Sequence, residues 1–211
     1  MRSKMILLIL ILTGCLISAE VKCSTYCSIT KGYDIKNYSG KLYFGTNGGM
    51  IFNSGSENTV YDIDDGLYKP DVTRIEKDYR GIFWLGHNDC SVSVFDMNRK
   101  TVYYLNDIEQ AGVYTLNGIF SSGKYIYLAT SGLLARYKYN DKYKKYEVSE
   151  INSMTGNVKS VSVVNGMIYA SLNSGLHYIS ETALNINYLN NWSIISGFAS
   201  GTVVNSFAVN G

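Results

Sequence analysis

Two side chains, His87 and His177, are the histidines that could serve as bases near neutral pH. His87 opens a polar run, His87-Asn88-Asp89, between two apolar stretches, where a turn residue and a ligand contact are both in character. His177 stands at an alternating position in an apolar run, which fits packing or a surface place better than chemistry. The chain holds no G-x-S-x-G, no H-E-x-x-H and no phosphate-cradling glycine loop. Asp62-Ile63-Asp64-Asp65-Gly66 has the acids of a calcium loop, but they stand one position out of register and read as a turn. Cys23 and Cys27 are spaced for a disulfide; with no nearby histidine or second cysteine pair they make a poor zinc site. Cys90 is then left as a small buried hydrophobe. We therefore expect no catalytic set, no metal and no cofactor.

Composition narrows the classes further. Of 211 residues, 46% are apolar and 17% charged, enough for a core and against wholesale disorder. Lys and Arg total 19 against 17 Asp and Glu. Without Arg2 and Lys4, which sit in an apolar leader, 17 cations face 17 anions, and no basic stripe remains for nucleic acid. Twenty Gly, 19 Tyr and a single Pro mark a chain rich in turns and β-formers.

Residues 1–19 have a charged start, an apolar run from Met5 to Leu12 and then small residues, the layout of a secretory signal. The run is shorter than the roughly 20 residues of a membrane span. Two cleavage sites compete. Leu12-Thr13-Gly14-Cys15 matches a lipobox, with cleavage before residue 15 and lipidation of Cys15 as a membrane tether. Ile17-Ser18-Ala19 suits an ordinary signal peptidase that would release a soluble chain from Glu20. The lipobox is the slightly better match. Either route predicts an exported protein, in the periplasm, on the outer membrane or at the cell surface.

The elements that would position any site come from internal repetition. Stretches beginning at Ser39, Arg80, Ser122 and Asn165 align on Gly40, Gly81, Gly123 and Gly166, with spacings of 41, 42 and 43 residues, and Gly211 follows 45 residues later. Each unit runs in the same order: an alternating strand, a tight turn at the anchor glycine, an aromatic strand, a polar turn, a third strand and a tyrosine-rich fourth. The apolar period is two, which excludes a helical repeat. Four short antiparallel strands in about 40 residues make a propeller blade. The expected fold is all-β: a β-propeller with blades at about 28–70, 71–112, 113–156 and 157–201. The first strand of a fifth is expected at 202–211, making an incomplete arc of a larger propeller and an N-terminal fragment of a longer protein.

The stretch from Tyr61 to Asp96 resembles the repeat of the two-component-regulator propeller family, through Asp65-Gly66-Leu67, Val72, Ile75, Asp78, Gly81, Trp84, Gly86 and Phe95. Gly45-Thr46-Asn47-Gly48-Gly49 and Asn173-Ser174-Gly175-Leu176 carry it into the first and fourth repeats. The pattern departs at Asp89-Cys90, in place of Gly-Leu, and at Ser171, in place of Gly. The resemblance implies an extracytoplasmic binding propeller of one of two sorts. One is the N-terminal part of an exported, PorZ-like component of a Bacteroidota secretion system; the other is the sensor of a hybrid histidine kinase. A polysaccharide-acting propeller enzyme is the least favoured reading.

Binding then falls to the turns. Tyr68 in an inter-blade loop, His87-Asn88-Asp89, Asn47 and Asn173 are the candidate ligand residues, and the partner expected is a glycan or an envelope protein. Tyr43, Tyr103, Tyr127 and Tyr169 are expected to fill gaps between blades, as is Trp84. The basic, tyrosine-rich stretch from Arg136 to Lys145 is expected to form a solvated outer edge.

Overall fold

The computed structural model describes residues 29–197 except 100, 107, 109–114 and 153–155, together with residue 204. The leader, Cys15, Cys23, Cys27, Gly211 and the expected fifth strand lie outside the described residues, apart from Val204.

Among the described residues, sixteen strands form four antiparallel sheets, each a meander in chain order. Blade 1 holds β1 (Gly32–Tyr38), β2 (Lys41–Thr46), β3 (Gly49–Asn53) and β4 (Asn58–Tyr61). Blade 2 holds β5 (Arg74–Lys77), β6 (Phe83–Gly86), β7 (Val92–Asp96) and β8 (Thr101–Leu105). Blade 3 holds β9 (Leu116–Ser122), β10 (Tyr125–Thr130), β11 (Leu134–Asn140) and β12 (Lys145–Asn152). Blade 4 holds β13 (Ser160–Val164), β14 (Met167–Leu172), β15 (Gly175–Ser180) and β16 (Ser193–Ile194).

The anchor glycines do what their spacing suggests. Gly40, Gly81, Gly123 and Gly166 all have positive φ in the turn that joins the first and second strands of a blade. At Ser39-Gly40 and Asn165-Gly166 both residues are left-handed, the twist-matched two-residue hairpin in which the second place favours glycine. The Asp62–Gly66 run is a 3₁₀ turn rather than a calcium loop. Asp62 and Asp65 cap one another's backbone, and Gly66 closes the turn at φ +98°.

The alternation of each strand feeds two interfaces. On β6, Phe83 and Leu85 point toward blade 1, while Trp84 points toward blade 3. On β10, Ile126 and Leu128 face blade 2, while Tyr127 and Ala129 face blade 4. Three buried clusters result, one between each pair of successive blades, and no single shared core exists among the described residues. Trp84 is fully buried and packs edge-on to Tyr146 of blade 3, as expected for an inter-blade residue. The first strands β1, β5, β9 and β13 line up side by side on the inside of the arc.

Two expectations need correcting. Of residues 136–145 only the hairpin tip, 141–145, and Lys138 are solvated as expected: Arg136, Tyr137 and Tyr139 are buried along with Tyr146, because β11 is an interior strand flanked by blades on both sides. Among the tyrosines expected between blades, Tyr43 and Tyr127 are buried, but Tyr103 is 37% exposed and Tyr169 partly so. Tyr103 is on the outermost strand of its blade, and Tyr169 is on the face of blade 4 that has no described blade against it.

Candidate functional site

Antiparallel order puts the turns between second and third strands on the same rim as the blade-to-blade connections. All six candidate ligand residues therefore belong to one side of the arc: Tyr68 in the connection after β4, Asn47 after β2, His87, Asn88 and Asp89 after β6, and Asn173 after β14. Within that side, Tyr68 and the residue 87–89 turn come together, while Asn47 and Asn173 are on the rims of other blades.

The cluster is built around the β6–β7 turn. Of the two roles open to His87, turn residue or ligand contact, its complete burial fits the first. Its Nδ1 lies 2.8 Å from the Asp71 carbonyl, to which it donates. Its Nε2 is thereby left as an acceptor for the Ser93 hydroxyl, also at 2.8 Å, and Ser93 Oγ in turn accepts from the Tyr68 amide at 3.0 Å. Burial holds the imidazole below its ordinary pKa, so it stays neutral in this chain of bonds. The residue types mimic a Ser-His-Asp triad, but a backbone carbonyl occupies the aspartate's place, and Ser93 is sealed from solvent. The Asp71 carboxylate goes instead to the Asn88 amide, at 2.9 Å. The network staples the connection from blade 1 onto the turn of blade 2.

Above this staple lies an aromatic surface. Tyr68 stacks on Tyr104 of β8 with ring centres 4.5 Å apart and planes 13° from parallel, and the two residues are 37% and 54% exposed. Lys69 pairs with Asp89 and sits 5.3 Å over the Tyr68 ring, and Asp89 also receives the Ser91 hydroxyl at 2.6 Å. Two tyrosine rings flanked by a cation and a carboxylate form a patch with stacking area and polar groups of both signs. Tyr104 was not singled out from the sequence. Its place follows from register, since it pairs with Ser93 across β7 and β8 and so shares the face of the His87 network.

Asn47 has a different role. Its side-chain oxygen accepts from the Thr30 and Lys31 amides, both at 2.9 Å, and fastens the chain leading into blade 1. Asn173 is exposed in its turn, beside Ser174, whose hydroxyl meets His177 Nε2 at 2.9 Å. His177 itself is buried, and burial lowers its pKa.

A second concavity, of about 420 Å³, follows the axis between the first strands and is lined by Asp34, Lys36, Arg74, Glu76, Asn117 and Ser160, among others. Here the blades are tied one to the next. Asp34 Oδ2 accepts from the Ile75 amide, Arg74 Nε donates to the Asn117 carbonyl, Asn117 donates to the Val158 carbonyl, and Ser160 donates to the Val204 carbonyl. Two carboxylates face this axis, and both are engaged: Asp34 with two backbone amides, and Glu76 with Lys36 at 3.6 Å. Burial pushes the Glu76 carboxyl up to about 7, against the pull of Lys36. Among the described residues, no group of three His, Cys, Asp or Glu is placed to hold a metal ion. Cys90 is a buried free thiol, pushed by burial up to about 12.

Solved structures share this architecture. PorZ, an essential surface component of the type-IX secretion system of Porphyromonas gingivalis, superimposes over 82% of the chain with a TM-score of 0.67 at 18% identity. The extracellular domains of two hybrid two-component systems of B. thetaiotaomicron match over 76% and 83% of it, with TM-scores of 0.57 and 0.60 at 21% and 17% identity. The WD40 domain of Neurospora crassa Pan2 matches at 12% identity over 78% of the chain and 54% of its own, with a TM-score of 0.53. The fold is a β-propeller arc. The chain spans about a quarter of the length of PorZ and of each two-component domain. These are the two kinds of protein whose repeat the sequence resembles. No protein-family model and no curated protein matches the chain.

Proposed function

We propose that the chain is a non-catalytic, exported binding module whose blade 2 rim takes a glycan or the glycan-bearing surface of an envelope partner. The observation that carries this reading is the exposed Tyr68–Tyr104 stack, with Lys69 and Asp89 at its edge. Sugar rings offer apolar faces to aromatic side chains and hydroxyls to charged ones, and the patch supplies both. Export is supported by the leader and by the likeness to extracellular domains. The absence of catalysis is supported by the use of His87, Ser93, Asp34 and Glu76 in structural bonds.

A second reading, the sensor portion of a hybrid histidine kinase, draws on the two-component neighbours and uses the same patch. Both are tested by a glycan array followed by calorimetry on the best ligand. Tyr68→Ala and Tyr104→Ala should each weaken binding roughly tenfold, about 1.4 kcal/mol, with the fold unchanged by circular dichroism. Unaltered affinity in both variants would remove the patch from the binding site.

A further inference from the structure

On the rim opposite Tyr68, the turns within blades 2 and 3 bring cations from both blades together. Arg80 comes from the β5–β6 turn, Arg99 from the β7–β8 turn and Lys144 from the β11–β12 turn. All three line one cleft of about 200 Å³, with Asp96 and Tyr103. Arg80 is held rigid. Its Nε and Nη2 donate to Asp78 Oδ2, at 3.3 and 3.0 Å, and its guanidinium carbon lies 3.7 Å from the Tyr139 ring centre. Its Nη1 donates to no described residue, so part of a planar donor fork is left over. Asp96 accepts the Asn98 and Arg99 amides on one oxygen, at 3.0 and 3.2 Å, while the other lies 3.7 Å from the Arg99 guanidinium. Three cations thus face two acids that are both engaged, Asp78 and Asp96. The charge in excess is that of Lys144, which makes no ion pair among the described residues. Tyr103 adds a hydroxyl, which burial keeps protonated and able to donate.

The backbone at Lys144 points the same way. Lys144 is exposed at the end of the 141–144 hairpin loop and stands in the left-handed region, at φ +55°. Glycine or asparagine adopts that conformation at less cost. A lysine kept there sacrifices some stability to hold a cation at the mouth of the cleft, and strain of this kind gathers at working sites. Arginine offers paired N–H donors that match the oxygens of a phosphate or sulfate, and lysine a point charge. Three separate cations suit a group with three outer oxygens better than a planar carboxylate. We propose that this cleft binds a tetrahedral oxyanion, a phosphate or sulfate group, held between Arg80, Arg99 and Lys144. The site is separate from the Tyr68–Tyr104 patch and does not rest on it.

The test is calorimetry on the purified full chain at constant ionic strength, with inorganic phosphate and sulfate as probes and acetate as the planar control. The parent should bind phosphate, and Lys144→Asn and Arg99→Gln should each weaken that binding about tenfold. Without phosphate, Lys144→Asn should keep or raise the thermal midpoint, because asparagine suits the left-handed place better. Lys142→Gln, an equal loss of charge on the same hairpin but outside the cleft, should leave binding unchanged. A parent that binds neither phosphate nor sulfate overturns the proposal. So does acetate binding as tight as that of phosphate, or a loss in Lys142→Gln equal to that in Lys144→Asn, which would mean a diffuse field in place of a site. Glucose 6-phosphate separates the two sources of the group: tighter binding than the free ion marks a group carried on a larger molecule, equal or weaker binding marks the ion itself, and both uphold the site. Tyr68→Ala should leave phosphate binding unchanged.

Discussion

Asp78 shows how much one side chain does in this fold. It opens the Asp-x-x-Gly turn that ends at Gly81, and its carboxylate is fully buried. Oδ1 accepts from the amides of Arg80 and Ile82, both at 2.9 Å, which shapes the turn. Oδ2 receives the Arg80 guanidinium at 3.0 Å and the Tyr146 hydroxyl of blade 3 at 2.9 Å. Arg80 in turn lies 3.7 Å from the Tyr139 ring centre. A motif legible as a turn is also a lock between blades, which the local sequence could not reveal because Tyr146 is 68 residues away. Removing the carboxylate strands a guanidinium and a hydroxyl, so Asp78→Ala should cost about 3 kcal/mol. Tyr146→Phe, which removes one bond to a charged acceptor, should cost about 1.5 kcal/mol. Urea denaturation of both single variants and the double variant should show a coupling of about 1 kcal/mol. Strict additivity would mean that the two residues do not act as a pair.

At the scale of elements, the second strands of blades 1, 3 and 4 end against the chain that leads on from the blade. Val72 donates its amide to the Thr46 carbonyl at 2.7 Å, Val158 donates to the Thr130 carbonyl at 2.9 Å, and Val204 donates to the Ser171 hydroxyl at 3.0 Å. Only a small residue fits beneath that entering chain, and the four blades place Gly45, Gly86, Ala129 and Ser171 there. A Cβ at Gly45 would stand 2.5 Å from the Val72 carbonyl oxygen, which is backbone, whereas at Gly86 the first obstacle is a methyl of Leu116. Gly45→Ala should therefore cost about 2 kcal/mol or more by chemical denaturation, and Gly86→Ala less, because a leucine side chain can turn aside. Equal costs would mean that the entering backbone yields as easily as the side chain. Strand order, hairpin type and inter-blade aromatics could be read from glycine spacing and period-two alternation, since both are local. The burial of His87 could not. It depends on Asp71 and Tyr68 folding back over the β6–β7 turn, a contact between segments whose sequences look equally polar. The same applies to Arg136, which reads as a surface cation but is buried between Glu150 and the Glu181 carbonyl at the junction of blades 3 and 4.

At the scale of the whole molecule, the first strands of the four described blades converge on one polar cavity along the axis. Their convergence follows from repetition, but the charges placed there do not repeat: the blades contribute Lys36 and Asp34, then Arg74 and Glu76, then Asn117, then Ser160. Stability of the arc should therefore carry the mark of a single group. Glu76 titrates at about 7 in the fold, against 4.5 in its ordinary state, because burial penalises its charge more than Lys36 rewards it. Between those two values the folded chain holds a proton that the unfolded chain has lost. Stability therefore falls as pH rises from about 4.5 to 7, and the penalty is complete above 7. Glu76→Gln mimics the protonated form at every pH. It should leave stability unchanged near pH 4.5 and raise it at pH 8 by up to about 3 kcal/mol, the full value of the shift. Lys36→Met, which removes the opposing charge, should deepen the loss at pH 8 and leave the acid end alone. Urea midpoints for the three proteins at pH 4.5 and 8 decide the matter: parallel profiles for the parent and Glu76→Gln would place the titration elsewhere. Because Lys36 comes from blade 1 and Glu76 from blade 2, the pair links proton uptake to the closure of one blade on the next, so the pH effect belongs to the arc and not to either sheet alone.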